Sequence, residues 1–365
     1  MKMINSNKEL AVVVLFWNDY DKTIKCLDSL YKQKKIKFNL ILVDNNSDVR
    51  YTKEVFKWLK KKKIKIFKIT KDKVNKNIFN SNKICFYKKN KINYGCGLGH
   101  NYGYNFCLKN NFKFIARFDN DMIIPKFTLF KLISKMKKYE NINALSPKIM
   151  FVNKPNMIWY SGTKISNNLK FQKACGLNLS NGIKDNKTYR GLIKTDAVAG
   201  CASIMRASQL RLSGLSDPEF FYGEEDIELS FRLSDTSESL KIDLDTKVYH
   251  HVSSTVGKNW GKNIYYNYKY RLLLVKKIGT ISDKFFGYLF ALLKFSISIF
   301  LIFKKKHASR ILQKYYALKH FYQNKYGNYD RINYLKVNKF FGNISKETSF
   351  LDVIKKIIFE KKNFN

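Results

Sequence analysis

The sequence predicts an α/β fold, a mostly parallel central sheet with flanking helices, followed by a helical C-terminal extension. Three observations predict it. Apolar runs of strand length alternate with helically spaced segments through the first half of the chain. The first of these runs is apolar throughout, as in a strand covered on both faces. From about Ile264 the chain becomes helical, aromatic and basic, with no Pro/Gly/Ser linker before it.

Ala11–Trp17 (AVVVLFW) predicts the first strand. Asp21–Lys34 carries Ile24, Leu27, Leu30 and Tyr31 at helical spacing. Phe38–Val43 predicts a second strand, ending at Asp44. Val55–Leu59 predicts a short helix, and Ile64–Ile69, alternating with lysines, a half-exposed strand. Lys71–Lys91 is polar and rich in Asn and Lys, and predicts a loop insertion with one short strand near Ile84–Tyr87. Gly99–Asn110 predicts a helix and Phe112–Phe118 a strand ending at Asp119. Such alternation implies parallel strands joined by helical crossovers. Asn141–Val198 mixes short strands with Gly and Asn turns. A helix begun near Glu224 continues through Leu229–Leu233, and Lys241–Tyr249 predicts a final long strand.

The 365 residues are ample for a sizeable core, and 45% hydrophobic composition excludes a disordered chain. The formal charge of +41 has two readings. One is an anionic partner; the other is a compositional bias that also enriches Asn, Ile, Phe and Tyr. Either leaves a surface that favours anionic membranes. Met1–Glu9 is polar and Leu10–Trp17 is too short for a signal peptide, so a cytoplasmic protein is expected. The six cysteines form no CxxC pair, which argues against a zinc knuckle, and they read as reduced thiols.

Acidic and amide residues follow the strand ends repeatedly: Asn18-Asp19, Asp44-Asn45-Asn46 and Asp119-Asn120-Asp121. In parallel sheets ligands gather beyond these ends. Two carboxylates spaced i, i+2 can each turn one oxygen toward a shared Mg²⁺ or Mn²⁺, which takes such ligands together with substrate phosphates. A DxD alone is common; its place after an apolar strand gives it weight. Glu224, Glu225, Asp226 and Glu228 crowd a helix start, where acids complement the helix dipole without any catalysis. The preceding Phe220, Phe221 and Tyr222 predict a partly buried wall, beside which a carboxylate could act as general base. His250, at a strand end, is a candidate ligand to metal or phosphate. The glycines of NYGCGLGHNYG, from Asn93, fail the dinucleotide fingerprint, because His100 or Tyr102 stands where its last glycine belongs. They read instead as backbone that lets a bulky ligand approach a helix start.

In order, VVVLFWNDYDKTIKCLDSL, LILVDNNSD, NYGCGLGHNYGYNFCL, FDND, VAGCASIMRASQLRLSGLSDPEFFYGEEDIELSFRL and VYHHVSSTVG resemble the family 2 glycosyltransferases of GT-A fold, most of all their bacterial rhamnosyltransferase-like branch. The resemblance covers about Leu10–Lys277. It implies a catalytic domain over 1–263, with a nucleotide-sugar half near 10–125 and an acceptor half near 126–263, before a basic region at 264–365. It implies that Asn18, Asp44 and Asp48 border the nucleoside. Asn93, Gly95 and Gly99 to Asn101 would shape the diphosphate and sugar pocket. Asp119 and Asp121 would form the metal-binding DxD, with His250 beside the metal, and Glu225-Asp226 would supply the base, Asp226 foremost. Trp17-Asn18-Asp19 departs from the commoner WNG, Glu228 replaces a frequent Asp, and the stretch before Asn93 is longer than usual. The implied reaction is inverting transfer of a hexose from a nucleotide-diphospho-sugar to a hydroxyl of a growing surface glycan, such as a lipid-linked one, with a divalent metal, Mn²⁺ or Mg²⁺.

Phe285–Phe303 is largely apolar and precedes Lys304-Lys305-Lys306. Lys294 at its middle costs a true span on the order of 3 kcal/mol. The segment therefore reads as a helix lying on an anionic membrane at its inner face, ahead of a helix packed on the domain or a span. Two other functions fit the sequence less well. A nucleic-acid-binding protein would cluster its basic residues on one face, whereas the lysines here are dispersed, so no nucleic acid is expected. A sugar nucleotidyltransferase would need a glycine-rich basic loop after the first strand, and FWNDYDKT lacks one.

Overall fold

The computed structural model describes residues 8–71, 73–74, 78–79, 84–165, 177–178, 181–186, 188–252, 261–300 and 308–344. The chain forms two compact units. The first comprises Met1–Lys164, Gly176–Asp217 and Glu225–Val252; the second comprises Ile165–Cys175, Pro218–Glu224 and Ser253–Asn365.

The first unit opens with β1 (Leu10–Phe16), α1 (Tyr20–Tyr31), β2 (Asn39–Asp44), α2 (Val49–Lys61), β3 (Lys65–Lys68) and β4 (Ile84–Lys89). It continues with α3 (Cys96–Lys109), β5 (Phe114–Asp119), β6 (Met122–Ile123), α4 (Thr128–Lys138), β7 (Ala144–Phe151), β8 (Ile158–Tyr160) and β9 (Thr163–Lys164). It ends with β10 (Leu177–Asn178), β11 (Leu192–Lys194), β12 (Ala202–Arg206), α5 (Ala207–Ser213), α6 (Glu225–Leu233) and β13 (Leu240–His250). The second unit holds α7 (Gly261–Ile278), α8 (Ile281–Phe300), α9 (Ala308–Tyr322) and α10 (Asn328–Ile344).

The main sheet runs β11-β13-β7-β12-β5-β1-β2-β4-β3. Its long ladders are parallel: β1 with β2 and β5, β4 with β2 and β3, and β13 with β7. β12 runs antiparallel between β5 and β7. The fully buried β1 explains its unbroken apolar run. Leu10, Val12, Val14 and Phe16 face one core with α1, α2 and α4. Ala11, Val13 and Leu15 face the other with α3 and α6. Covering both faces of parallel strands removes the polar alternation that an exposed face would show.

The elements differ from expectation in three places. α2 spans 13 residues where only Val55–Leu59 was legible, because Val55 and Leu59 alone are fully buried, Phe56 and Trp58 are half-buried on the same core, and the remainder is polar, lysine-rich surface. α3 begins at Cys96, three residues early, because Gly95 at φ 79 closes the preceding turn. The middle section contributes the eight-residue β7, buried in the main sheet, besides short strands.

Register gathers the functional termini. Phe16 pairs with Asp44 and Leu15 with Asp119, so β1, β2 and β5 end together at one edge. β12 then brings Cys201 alongside, and its carbonyl accepts from the Asp119 N–H at 3.0 Å.

In the second unit, Lys269 is buried and donates to both oxygens of buried Asp330, at 2.7 and 2.6 Å. Tyr270 donates to the same carboxylate, and Tyr265 shares a 2.7 Å hydrogen bond with His320. Phe220 lies against Tyr270, and Phe221 and Tyr222 lie against Tyr266, so the aromatic lead-in is committed to packing within this unit. Among the described residues no helix is long and apolar enough to cross a membrane. Residues 301–307, which include Lys304-Lys305-Lys306, lie outside the described residues, as do Cys175 and residues 253–260 after the His250 strand.

Candidate active site

Asp119 ends β5, and Asp121 leads into β6, which pairs with β13 through His250 and Met122. That pairing places His250 Nε2 3.2 Å from Asp121 Oδ1. The His251 N–H donates to the Asp121 carbonyl at 3.1 Å, and the edge of Trp159 holds the His250 ring at 4.6 Å. Between the two carboxylates, the Asn120 amide donates to the Thr23 hydroxyl at 2.9 Å, tying the loop to α1. Burial pushes the Asp119 carboxyl up to about 7; Arg117 opposes the rise and Asp121 adds to it. Asp119 Oδ1 and His250 Nδ1 have no hydrogen-bond partner among the described residues. Two crowded carboxylates, one of them with raised proton affinity, and one imidazole are a donor set that Mn²⁺ or Mg²⁺ fits, because a divalent cation relieves the repulsion between them.

α6 starts at Glu225, after Gly223 and Glu224 at φ 90 and 65. That left-handed pair turns the chain sharply into the helix. Asp226 Oδ2 accepts from the Gly200 N–H at 3.0 Å. Burial and the neighbouring Glu225 raise Asp226 to about 6, against the pull of Arg117. Glu225 Oε1 lies 3.4 Å from the Arg117 guanidinium. Glu228, by contrast, forms a bidentate pair with Arg232 at 2.7 Å, a link internal to the helix.

Arg117 is the residue that sequence reasoning missed. It lies two positions before Asp119 on β5, hence on the same strand face. Its guanidinium reaches Cys96 Sγ at 3.3 Å, Glu225 at 3.4 Å and Asp119 Oδ1 at 3.9 Å. A charge inside the otherwise apolar FIARF run was the available signal. Cys201 links the groups from another side: its thiol is pushed up by burial and by Asp119, Asp121 and, more weakly, Asp226. Asp119, Asp121 and Asp226 therefore share one electrostatic neighbourhood.

Cys96, His100 and Asp119 also converge, with ligand atoms within 4.8 Å. They do not suit a cation. Burial drives the Cys96 thiol well above its usual range, and the Arg117 cation sits in the same cluster.

The remaining predicted residues gather at the same edge, mostly in structural contacts. Asp44 is fully buried and accepts from the Ser47 N–H, the Thr52 hydroxyl and the Tyr87 hydroxyl at 2.6 to 2.7 Å. Asn18, at φ 49, accepts the Asp48 N–H at 2.8 Å, and Asp48 is exposed beside Arg50. Asn93 Oδ1 receives the Asn45 amide and the Gly95 N–H, both at 2.8 Å. Asn45, noted in the sequence only as a strand-end amide, also receives Asn90 and the Tyr94 N–H and so stitches β2 to the start of α3. Asn101 spends both ends of its amide on the Ser216 backbone, at 2.8 and 3.0 Å. A Cβ on Gly99 would meet Leu15 at 2.9 Å, and one on Gly103 would meet Val13 at 2.4 Å. These two glycines let α3 pack closely on β1.

The family model described as "Glycosyl transferase family 2" matches residues 11–208. No curated protein matches the sequence. Among solved structures, "GalNAc-T7 with UDP, GalNAc and Mn2+" is 14% identical, covers 97% of this chain and 57% of its own, and has a TM-score of 0.52. A mannosyltransferase from Pyrobaculum calidifontis, PcManGT, in complex with GDP-Man and Mn²⁺, is 11% identical over 87% of this chain and 88% of its own, at a TM-score of 0.50. At these identities the likeness is one of fold. S. aureus TarS is 16% identical over 80% of this chain at a TM-score of 0.46, and this chain spans 43% of that one.

Proposed function

Because the chain belongs to glycosyl transferase family 2, we propose that it is an inverting, metal-dependent glycosyltransferase. It moves a hexose from a nucleotide-diphosphate donor to a hydroxyl of a growing, lipid-linked surface glycan. One observation carries the reading: a buried carboxylate raised to about 6 shares its surroundings with a crowded carboxylate pair and a histidine. In this reading the acceptor lies at the inner face of the cytoplasmic membrane, which suits the excess of lysine.

Asp119, Asp121 and His250 would hold Mn²⁺ or Mg²⁺, whose charge would offset the charge developing on a diphosphate leaving group. Asp226 is the base. Near neutral pH it is ionised yet basic enough to take a proton from an acceptor hydroxyl, which then attacks the anomeric carbon opposite the diphosphate. Arg117 keeps Asp226 ionised and anchors Glu225 beside it. Asn45, Asn93 and Gly95 brace the loop on which the donor pocket is built, and Asn18 with Asp48 forms its nucleoside side. Asp44 acts in this reading by holding that loop through Ser47 and Thr52.

The test is a donor screen, by hydrolysis and thermal shift, with dTDP-, UDP- and GDP-sugars and Mn²⁺. The rhamnosyltransferase-like branch predicts a response to dTDP-rhamnose. Asp121→Asn should lose the metal response. Asp226→Asn should keep donor and metal binding while transfer falls on the order of 10²–10⁴-fold. Full transfer by both variants would falsify the reading.

A further inference from the structure

α8 is built the wrong way round for a helix in water. Its buried line is Asp283, Gly287 and Ala291, spaced four residues apart, and two of these three are small. The Tyr268 hydroxyl of α7 donates to the Ala291 carbonyl at 2.6 Å, so the small residues let α7 approach closely. Tyr288 and Phe295 pack against Phe321 and Tyr315 of α9, and most of the other large apolar residues point outward. Ile281, Phe285, Leu289, Leu292, Leu293 and Ile297 recur at intervals of three or four and lie on one exposed stripe; Ile281 is 89% exposed and Phe285 65%. Only serines interrupt the exposed positions of the helix. From Ile281 to Ile297 this stripe is about 24 Å long, well beyond an isolated surface leucine.

We propose that this face of α8 docks in the plane of an anionic lipid bilayer, with its apolar side chains at the headgroup–acyl boundary. Charge selects lipid over an apolar protein partner. The one acid of α8, Asp283, is buried and consumed in capping, accepting from the Thr280 N–H and hydroxyl at 3.0 and 2.7 Å. The face therefore presents no negative charge. Lys284 and Lys294 lie on the side of the helix that carries Gly287 and Ala291, and Lys304-Lys305-Lys306 follows the helix in sequence. Lys314 of α9 donates to the Ser298 hydroxyl at 2.6 Å, which adds a cation at the flank of α8. A bulky apolar stripe free of acids, on a chain of formal charge +41, is the pattern that binds interfaces through burial plus attraction to anionic headgroups. The inference gives a surface to the membrane-side placement proposed above, but its test reads lipid binding and not sugar transfer.

The full chain is sedimented with vesicles of phosphatidylglycerol and, separately, of phosphatidylcholine. It should partition to the anionic vesicles, and added salt should weaken that binding. The triple variant Phe285→Ser, Leu289→Ser, Leu293→Ser should bind on the order of tenfold or more weakly, with its helical circular-dichroism signal and donor hydrolysis retained. As a second measurement that does not depend on that variant, Leu289→Trp should show blue-shifted emission when anionic vesicles are added. Wild-type protein that stays in the supernatant, a triple variant that binds as tightly as wild type, or an unshifted emission spectrum from the Leu289→Trp protein each overturns the proposal. So does a wild-type dimer that the triple variant converts to monomer without any vesicle binding, since a second copy would then cover the stripe.

Discussion

Asp226 Oδ2 accepts from the Gly200 N–H at 3.0 Å, and the next residue, Cys201, takes the Asp119 N–H on its carbonyl at the same distance. The backbone of residues 200–201 thus joins the proposed base to the DxD pair. A Cβ at position 200 would lie 2.9 Å from both Asp226 Cβ and Oδ2. Gly200→Ala should therefore displace the carboxylate and lower the transfer rate about 10- to 100-fold, with donor KM little changed. Steady-state kinetics on a folded variant checks this; an unaltered rate would show that the base does not depend on this contact.

Asp226 titrates near 6, above its ordinary 3.8, because burial and Glu225 disfavour its charge. The rate of transfer should fall on the acid side with an apparent pKa of about 6, since the base must be ionised. Stability follows the opposite sign. Between pH 3.8 and about 6 the folded state holds a proton that the unfolded chain has lost, so the contribution of this group to stability declines as pH rises through that window and stays low above it. Asp226→Asn should then stabilise the fold at pH 7 to 8 by on the order of 1–3 kcal/mol, a gain that disappears below about pH 4. Thermal denaturation across pH measures it.

Arg117 lowers the proton affinity of Asp226 and pairs with Glu225. Arg117→Met should shift the acid limb of the kcat/KM profile to higher pH, and it should cost about 3–5 kcal/mol of stability by leaving buried carboxylates uncompensated. Arg117→Lys, which keeps a positive charge, should move the limb less. Equal limbs in all three proteins would remove the electrostatic role and leave a structural one.

The Lys269–Asp330 pair has no part in the proposed chemistry, and burial lowers Lys269 to about 8 against the pull of Asp330. Lys269→Met alone should destabilise the helical unit by about 3–5 kcal/mol, because Asp330 would be buried with its charge unmatched. The double variant Lys269→Met, Asp330→Leu should recover much of that loss. Urea denaturation of the four proteins of this double-mutant cycle decides it: a double variant no more stable than Lys269→Met would mean that the two residues do not act as a pair.

Much of the first unit was legible because burial on both sheet faces left unbroken apolar runs, as in AVVVLFW and FNLILV. The DxD pair and Asp226 stood out because carboxylates right after a buried strand or at a helix start are conspicuous against apolar surroundings. α2 was only partly legible: Val55 and Leu59 are its only fully buried side chains. Arg117 was passed over, and Asn45 was noted only as part of an amide-rich strand end, for a different reason. A lone polar residue within or just after a strand has no pattern, and its meaning comes from partners 108 and 48 positions away.

The sequence alone determined the alternating α/β order, the acidic strand ends and the change to a basic helical region, because local periodicity and composition are written residue by residue. Only the tertiary structure decided which of those ends meet. β12 inserted antiparallel beside β5, and β6 paired with the end of β13, carry Cys201 to Asp119 and His250 to Asp121. It also decided that α8 turns Gly287 and Ala291 inward and leaves Phe285, Leu289 and Leu293 exposed, since only the packing against α7 shows which side of the helix is covered.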